Sequence, residues 1–185
     1  MKKNIDLTEH CISSTTLAEG QMLKAKRDVV RLPDGSEGYR EYVMHPGAVV
    51  IVAMLPNENI VLEKQFRYPL HQTFIELPAG KIDPGEDVLL TGQRELLEET
   101  GYEASNWIKL GIQHPCIGYS NEVIHIYLAT GLKAGQHTLD DGEFLEVFDV
   151  SFDACLDMVQ RGEITDSKTI AALFLAEKYF ANING

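Results

Sequence analysis

The sequence lacks a long uninterrupted apolar run. Its longest, GAVVIVAML at residues 47–55, stops at Pro56, whereas a helix that crosses a bilayer needs roughly 20 apolar residues. The two lysines near the N-terminus are not followed by an apolar segment, so residues 1–14 do not have the pattern of a secretory signal. We therefore expect a protein that has no membrane segment and is located in the cytoplasm.

Cysteine and positive charge are also scarce. The three cysteines, Cys11, Cys116 and Cys155, lack the close spacing of a metal site, so reduced thiols are expected and a zinc centre is not. The 16 Lys and Arg residues stand against 28 Asp and Glu residues, for a formal net charge of −12. Because nucleic-acid backbones are held by clustered Lys and Arg, we expect no nucleic-acid partner, and an anionic substrate would need a cation to accompany it.

Turn residues divide the first half of the chain into short extended segments. The turn PDGS separates residues 21–32 from residues 38–45 and predicts a β-hairpin. In the same way, PNEN separates the β-branched run at 48–55 from residues 60–68 and predicts a second hairpin. A short extended segment, FIELP, follows at 74–78.

The second half alternates helices with strands. Residues 87–100 have a helical pattern, and Gly101 follows where a C-terminal cap belongs. Three strands are predicted beyond it, at 107–113, 122–129 and 144–149. One further helix is predicted between Ser151 and Gly162, and a last one at 166–180. This order predicts an α/β fold with a mixed sheet and helices packed on it.

Three carboxylates crowd one turn of the first predicted helix. Residues three and four apart share a helix face, so Glu95 and Glu99 are neighbours and Glu98 stands beside them. Like charges at this spacing destabilise a helix unless a cation compensates. One interpretation is a solvated face with Arg94 as its basic neighbour. The other is a divalent metal site, because clustered oxygen ligands suit Mg²⁺ or Mn²⁺, which also bridge to substrate phosphates.

The spacing of these residues resembles a known signature. Gly80, then Glu86 after five residues, then RELLEETGY at 94–102 after seven more, are similar to the Nudix hydrolase box, G-x5-E-x7-R-E-U-x-E-E-x-G-U, in which U is a bulky apolar residue. All seven fixed residues are present. At ordinary amino-acid usage, that match would arise at a given start with a chance on the order of 10⁻⁸.

The resemblance implies a strand–loop–helix–loop unit that binds Mg²⁺, with Mn²⁺ as the other suitable ion, and cleaves a nucleoside diphosphate linked to another group. Glu95 and Glu99 match the main metal ligands. Glu98 matches a third acidic position that binds metal directly or through water, and it is a candidate catalytic residue. The backbone carbonyl of Ala79 would be a further ligand.

Four more residues receive roles from the same likeness. Glu86 and Arg94 match positions that orient the ligating glutamates. The loop TLDDGEFLE at 138–146 corresponds to the place where such enzymes carry a late acidic residue that positions or deprotonates the attacking water. Glu143 is our first candidate for this base and Asp141 the second; the alternative is an acidic loop that is simply solvated.

Segments outside the box resemble the ADP-ribose pyrophosphatase subgroup, although GDP-mannose pyrophosphatases share much of the likeness. The segments are REYVMHPGAVVIVAML, EKQFRYPL, FIELPAGKIDPGED, HPCIGYSNEVIHIYLA and GEITDSKTIAALFLA. By this likeness, Arg67 is a candidate to pair with the diphosphate, and Glu122 would lie near the terminal ribose or the catalytic water. Arg40 and Glu41 are candidates for binding adenine or for a dimer contact; alternatively, they form only surface pairs.

The resemblance therefore implies a Nudix α/β/α sandwich with a mixed sheet at residues 46–185, preceded by a small β-rich dimerisation subdomain at 1–45. In relatives, that subdomain exchanges across a two-fold axis, so we expect a homodimer. The implied reaction is Mg²⁺-dependent hydrolysis of ADP-ribose to AMP and ribose 5-phosphate. Two alternatives stay open: hydrolysis of GDP-mannose or another nucleoside diphosphate sugar, and an ADP-ribose-sensing module without catalysis.

Overall fold

The computed structural model describes residues 6–135 and 144–183. The chain divides into two compact units, one formed by Met1–His45 with Cys116–Glu122 and the other by Pro46–Pro115 with Val123–Gly185. Among the described residues, no helix is both long enough and apolar enough to cross a bilayer.

The first unit contains a three-stranded antiparallel sheet. Its strands, in spatial order, are β1 (His10–Glu19), β2 (Lys24–Arg31) and β3 (Glu37–Met44). The predicted hairpin between β2 and β3 is confirmed, and its turn is closed by Asp34, whose carboxylate accepts a hydrogen bond of 2.9 Å from the Ser36 amide. Strand β1 was not predicted, because every residue in it is exposed and no alternation of apolar and polar residues marks it.

The second unit contains two sheets. The larger has the order β7 (Ala79–Lys81), β4 (Ala48–Ala53), β9 (Ile124–Ala134) and β8 (Tyr102–Gln113). Within it, β4 and β9 are parallel and the other pairs are antiparallel, which makes the sheet mixed as predicted. The smaller is antiparallel, in the order β10 (Leu145–Ser151), β5 (Asn59–Arg67) and β6 (Gln72–Glu76).

The prediction of a second hairpin at PNEN is wrong. Strands β4 and β5 lie in different sheets and share only an isolated bridge between Met54 and Ile60. Both edges of β4 are already hydrogen-bonded, to β7 and to β9, and all six of its residues are buried. A continuous apolar run of this kind is typical of a central strand covered on both faces.

Three helices complete this unit: α1 (Val88–Thr100), α2 (Phe152–Gln160) and α3 (Ser167–Ile183). Alternate residues of β4 point to opposite faces of the sheet. Val49 and Ile51 belong to the core that contains Leu96 of α1, whereas Val50 and Val52 belong to the core that contains Leu173 of α3. The mixed sheet is thus covered by helices on both faces, which confirms the α/β/α sandwich.

The glycine in the middle of α1 marks a close contact between helix and sheet. A Cβ atom on Gly92 would lie 3.2 Å from Cγ1 of Val49 and 3.4 Å from the Trp107 ring. Glycine inside a helix costs about 1 kcal/mol relative to alanine, and here it permits α1 to lie directly on β4 and β8. This contact sets the distance between the sheet and the helix that carries the predicted metal ligands.

Candidate active site

The two ends of α1 are fixed by local signals in the sequence. The Asp87 carboxylate caps the first turn, accepting hydrogen bonds from the Leu89 amide at 2.9 Å and the Leu90 amide at 3.2 Å. Gly101 ends the helix with φ of 70°, and its amide donates to the Leu97 carbonyl at 2.9 Å. The predicted helix and its cap are confirmed, and the glutamates lie in its last two turns.

The carboxylates of Glu99 and Glu95 lie against two consecutive residues of strand β7, Ala79 and Gly80 respectively. The Glu99 carboxylate, 2% exposed, accepts a hydrogen bond of 2.9 Å from the Ala79 amide. A Cβ atom at Gly80 would lie 1.8 Å from the carboxyl carbon of Glu95, so glycine alone leaves room for that carboxylate. The structure thus brings Glu95, Glu99 and the Ala79–Gly80 backbone together, as the likeness to the box implies.

Arg94 binds three carboxylates with one guanidinium. Its Nε and Nη2 donate to the two oxygens of Glu86, each at 3.0 Å, and its Nη1 donates to Glu95 and to Glu98, each at 2.9 Å. The oxygens of Glu95 and Glu98 that share Nη1 are therefore at most twice 2.9 Å apart. This geometry places Arg94 where it can orient both glutamates.

Glu86 anchors the other side of the guanidinium. Besides Arg94, it accepts hydrogen bonds from the Thr91 hydroxyl at 2.8 Å and from the Asp83 amide at 3.3 Å. The hydrogen bonds from Arg94 contribute most to lowering the pKa of Glu86 to about 2. The same contacts raise the pKa of Arg94. Both groups therefore stay charged at neutral pH, and Glu86 fixes the position of the Arg94 guanidinium.

The donor set fits a divalent cation in its chemistry. Three carboxylates, those of Glu86, Glu95 and Glu98, share a single guanidinium, and the Glu99 carboxylate lies against the Ala79 amide. This excess of negative charge is what a hard cation offsets. No group of three acidic, His or Cys side chains is already arranged to hold a metal ion within the described ranges. Glu95 and Glu98 are turned to Arg94, while Glu99 is turned to the Ala79 amide.

Arg67, at the end of β5, forms an ion pair with Glu76, another residue of the second unit. Its Nε and Nη2 donate to the two oxygens of Glu76, both at 2.7 Å, and Glu76 also accepts a hydrogen bond from Lys168. Glu76 and Lys168 were not among the site residues predicted from the sequence. A signal was present, because Glu76 is a carboxylate inside the apolar run FIELP, and a buried charge needs cationic partners.

The remaining candidates lie in the first unit. Glu122 Oε1 is 3.6 Å from Nδ1 of His45. Arg40 pairs with Glu9, and Glu41 accepts a hydrogen bond of 2.7 Å from Arg27, so both form ion pairs on the exposed N-terminal sheet. Their side chains also line a cavity of about 210 Å³ with Tyr42 and residues 117–121.

The two candidates for the water-activating base, Asp141 and Glu143, lie outside the described residues. Their assignment, like the roles of the box residues and of the substrate-contacting residues, stays a prediction.

Fold and site together define an α/β/α sandwich in which an acidic helix lies against an edge strand of a mixed sheet. The chain matches the family model for the NUDIX domain over residues 44–173. It belongs to this family, and the interpretation as a Nudix hydrolase is confirmed.

Similar proteins cover nearly the whole chain. Over 169 residues it is 38% identical to the methanol dehydrogenase activator of Bacillus methanolicus, covering 89% of this chain and 90% of that protein. Over 169 residues it is 37% identical to the ADP-ribose pyrophosphatase of Bacillus subtilis strain 168, covering 90% and 91%. A solved structure described as an ADP compounds hydrolase has the same fold, with a TM-score of 0.86, 20% identity and 95% of each chain covered.

Proposed function

We propose that this protein hydrolyses the diphosphate bond of ADP-ribose, giving AMP and ribose 5-phosphate. The observation that carries the proposal is that the carboxylate of Glu99 lies against Ala79 and that of Glu95 against the next residue, Gly80. The similarity to an ADP-ribose pyrophosphatase across nine-tenths of both chains supports this choice of substrate.

The box residues would hold Mg²⁺, with Mn²⁺ as the other suitable ion. Glu95 and Glu99 would be the main ligands, Glu98 the third, and the Ala79 carbonyl a further one. When bound, the ion polarises phosphoryl oxygens and lowers the pKa of water. To bind it, Glu95 and Glu98 would exchange part of their contact with Arg94 for the metal, since both now share its Nη1.

The chain's own groups account for the other requirements of the reaction. Water adds to one phosphorus of the diphosphate, the bond from that phosphorus to the bridging oxygen breaks, and the bridging oxygen leaves on the other phosphate. A carboxylate must accept the proton of the water; Glu143, Asp141 and Glu98 are our candidates. Arg67 would pair with the diphosphate as a guanidinium fork, and Glu122 would lie near the ribose or the water.

Glu86 would act indirectly. It holds Arg94 through two hydrogen bonds, and Arg94 in turn holds Glu95 and Glu98. Supporting contacts of this kind fix the orientation of metal ligands.

We further propose that the protein is a homodimer joined through its N-terminal unit. Among the described residues of that unit, Val30 is the buried hydrophobic side chain, whereas Leu7, Ile12, Leu17 and Met22 are exposed. A sheet with so little core of its own is expected to bury apolar side chains against another surface. Sedimentation analysis at several concentrations tests this, and a monomer throughout would contradict it.

A cytoplasmic location is the remaining part of the proposal. All three cysteines are free, and burial raises the pKa of the Cys155 thiol to about 12, which makes it unreactive. Free thiols are typical of a reducing compartment.

The substrate is tested by following ADP-ribose and GDP-mannose side by side, with Mg²⁺ and with EDTA, and separating the products by chromatography. We expect AMP from ADP-ribose, with kcat/KM at least about tenfold above that for GDP-mannose, and no product with EDTA. Faster cleavage of GDP-mannose would support the proposed diphosphate hydrolysis but contradict ADP-ribose as the preferred substrate. Binding of ADP-ribose without cleavage of either compound would instead indicate a sensing module, which the intact box argues against.

A further inference from the structure

Apart from the carboxylates of α1, the second unit contains a separate group of charged side chains. Its members are Arg67 at the end of β5, Glu76 at the end of β6, and Asp166 and Lys168 at the start of α3. These four residues line a cavity of about 330 Å³, together with Leu70, Phe74, Thr165 and Ser167.

Arg67 is held by one edge of its guanidinium. In the β5–β6 ladder, Arg67 lies opposite Gln72 and Glu76 lies opposite Glu63, so the Arg67 side chain runs back along the sheet to reach Glu76. Its Nε and Nη2 make the paired hydrogen bonds of 2.7 Å. The Nη1 group has no hydrogen-bond partner in the described part of the chain, and the side chain is 40% exposed. One edge of the fork is thus fixed and the other is available to a ligand.

Lys168 is the second cation on Glu76. Its ammonium group donates to Oε2 of Glu76, the same oxygen that accepts from Nη2 of Arg67, and also to Asp166 at 3.0 Å. Glu76 is 2% exposed. Burial opposes its ionisation, yet the hydrogen bonds from Arg67 and the charge of Lys168 hold the pKa of Glu76 below its ordinary value. Glu76 is therefore a buried carboxylate shared by two cations.

The position of Lys168 is itself fixed by the backbone next to Glu76. Asp166 accepts hydrogen bonds from the Thr169 amide at 3.0 Å and the Thr169 hydroxyl at 2.7 Å. The Leu77 amide donates to the same hydroxyl at 3.0 Å, and Thr169 is fully buried. The contacts form a closed ring that runs from Glu76 through Leu77, Thr169, Asp166 and Lys168 back to Glu76.

We propose that Lys168 is a positioning residue that holds Glu76 in the orientation from which Arg67 presents its free edge to the diphosphate. The inference rests on the proposed function, in which Arg67 pairs with that diphosphate. Without the ammonium group, Glu76 would be balanced by Arg67 alone, and its carboxylate would lose the bond that fixes its plane. Arg67 would then be held more strongly by its own carboxylate and less well oriented toward a ligand.

The test compares three variants by steady-state kinetics with ADP-ribose and Mg²⁺. Lys168→Met keeps the length of the side chain and removes its charge, whereas Lys168→Arg keeps the charge. Lys178→Met is the matched control, because Lys178 lies on the same helix, is 57% exposed, and contacts Glu177 and the Phe174 ring on that helix rather than Glu76. We expect Lys168→Met to raise KM about tenfold with kcat within about threefold, and the other two variants to stay near the wild type.

A purely structural role would give a different pattern. It would lower the melting temperature and the amount of active enzyme, and hence the apparent kcat, at an unchanged KM. A Lys168→Met variant with the KM of the wild type, or a Lys168→Arg variant as impaired as Lys168→Met, would overturn the proposal.

Calorimetric titration with Mg²⁺ and the methylene analogue of ADP-ribose, in which CH₂ replaces the bridging oxygen so that the diphosphate cannot be cleaved, separates this inference from the proposed reaction. If the wild type binds the analogue and Lys168→Met binds it about tenfold more weakly, the positioning role stands even where no cleavage of ADP-ribose is found. Equal affinities of the two proteins, or no binding by the wild type, would overturn the positioning role. Hydrolysis of ADP-ribose by the wild type together with equal affinities would leave the proposed function intact.

Discussion

At the scale of single residues, the positions of the α1 carboxylates depend on what the neighbouring backbone leaves open. Glu99 is fixed by the Ala79 amide, and Glu95 occupies the space that a side chain at residue 80 would fill. Arg94 then connects Glu95 and Glu98 to Glu86. The sequence could supply this set of residues by their spacing. It could not show that Glu95 and Glu98 share one nitrogen, because that depends on rotamers.

Replacing Gly80 by alanine should displace the Glu95 carboxylate. A Cβ atom there would lie 1.8 Å from its carboxyl carbon, so we expect Mg²⁺-dependent kcat to fall at least about tenfold. Gly20→Ala is the control, since the nearest heavy atom to its added Cβ would be 3.8 Å away. Full activity of Gly80→Ala would show that Glu95 need not occupy this place.

Glu86 should contribute stability that depends on pH. Its pKa falls from 4.5 to about 2 on folding, so its contribution is complete above pH 4.5 and declines as the pH falls toward 2. We expect Glu86→Gln to lower the free energy of unfolding by about 1 kcal/mol at pH 7, with a smaller difference from the wild type at pH 3. Urea unfolding at both pH values measures this, and a difference that does not change with pH would refute it.

At the scale of elements, local signals predicted α1 and the β2–β3 hairpin, but they did not predict how β4 pairs. Asp87 and Gly101 set the ends of α1 through contacts within four residues, which a sequence displays directly. Whether β4 pairs with β5 depends on β7 and β9, which occupy both edges of β4 and are distant in sequence. The same holds for Lys168 and Glu76, which lie 92 residues apart.

The cap of α1 gives a prediction for this element. Asp87→Ala removes an acceptor for two backbone amides, and we expect it to lower the free energy of unfolding by about 1 kcal/mol. Asp87→Asn retains a capping oxygen, so its free energy of unfolding should fall much less. Thermal or urea unfolding of both variants checks the ranking, which equal stabilities would contradict.

At the scale of the whole molecule, we propose that the glutamates of α1 hold Mg²⁺ for cleavage of a diphosphate. The composition supports this proposal, because a chain with a formal net charge of −12 would need a cation to accept an anionic substrate beside these carboxylates. The family match agrees with the proposal. The N-terminal strand β1 could not be predicted, since its side chains are exposed along its whole length.

The most direct test measures ADP-ribose turnover by Glu99→Gln. Glu99 is 2% exposed, so this substitution keeps the size of a buried side chain while removing its charge. Glu177→Gln is the control, because Glu177 forms a surface pair with Lys178 on α3. We expect kcat for Glu99→Gln to fall roughly 100-fold or more with Mg²⁺, while Glu177→Gln keeps the rate of the wild type. A folded Glu99→Gln variant with an undiminished Mg²⁺-dependent rate would contradict the account.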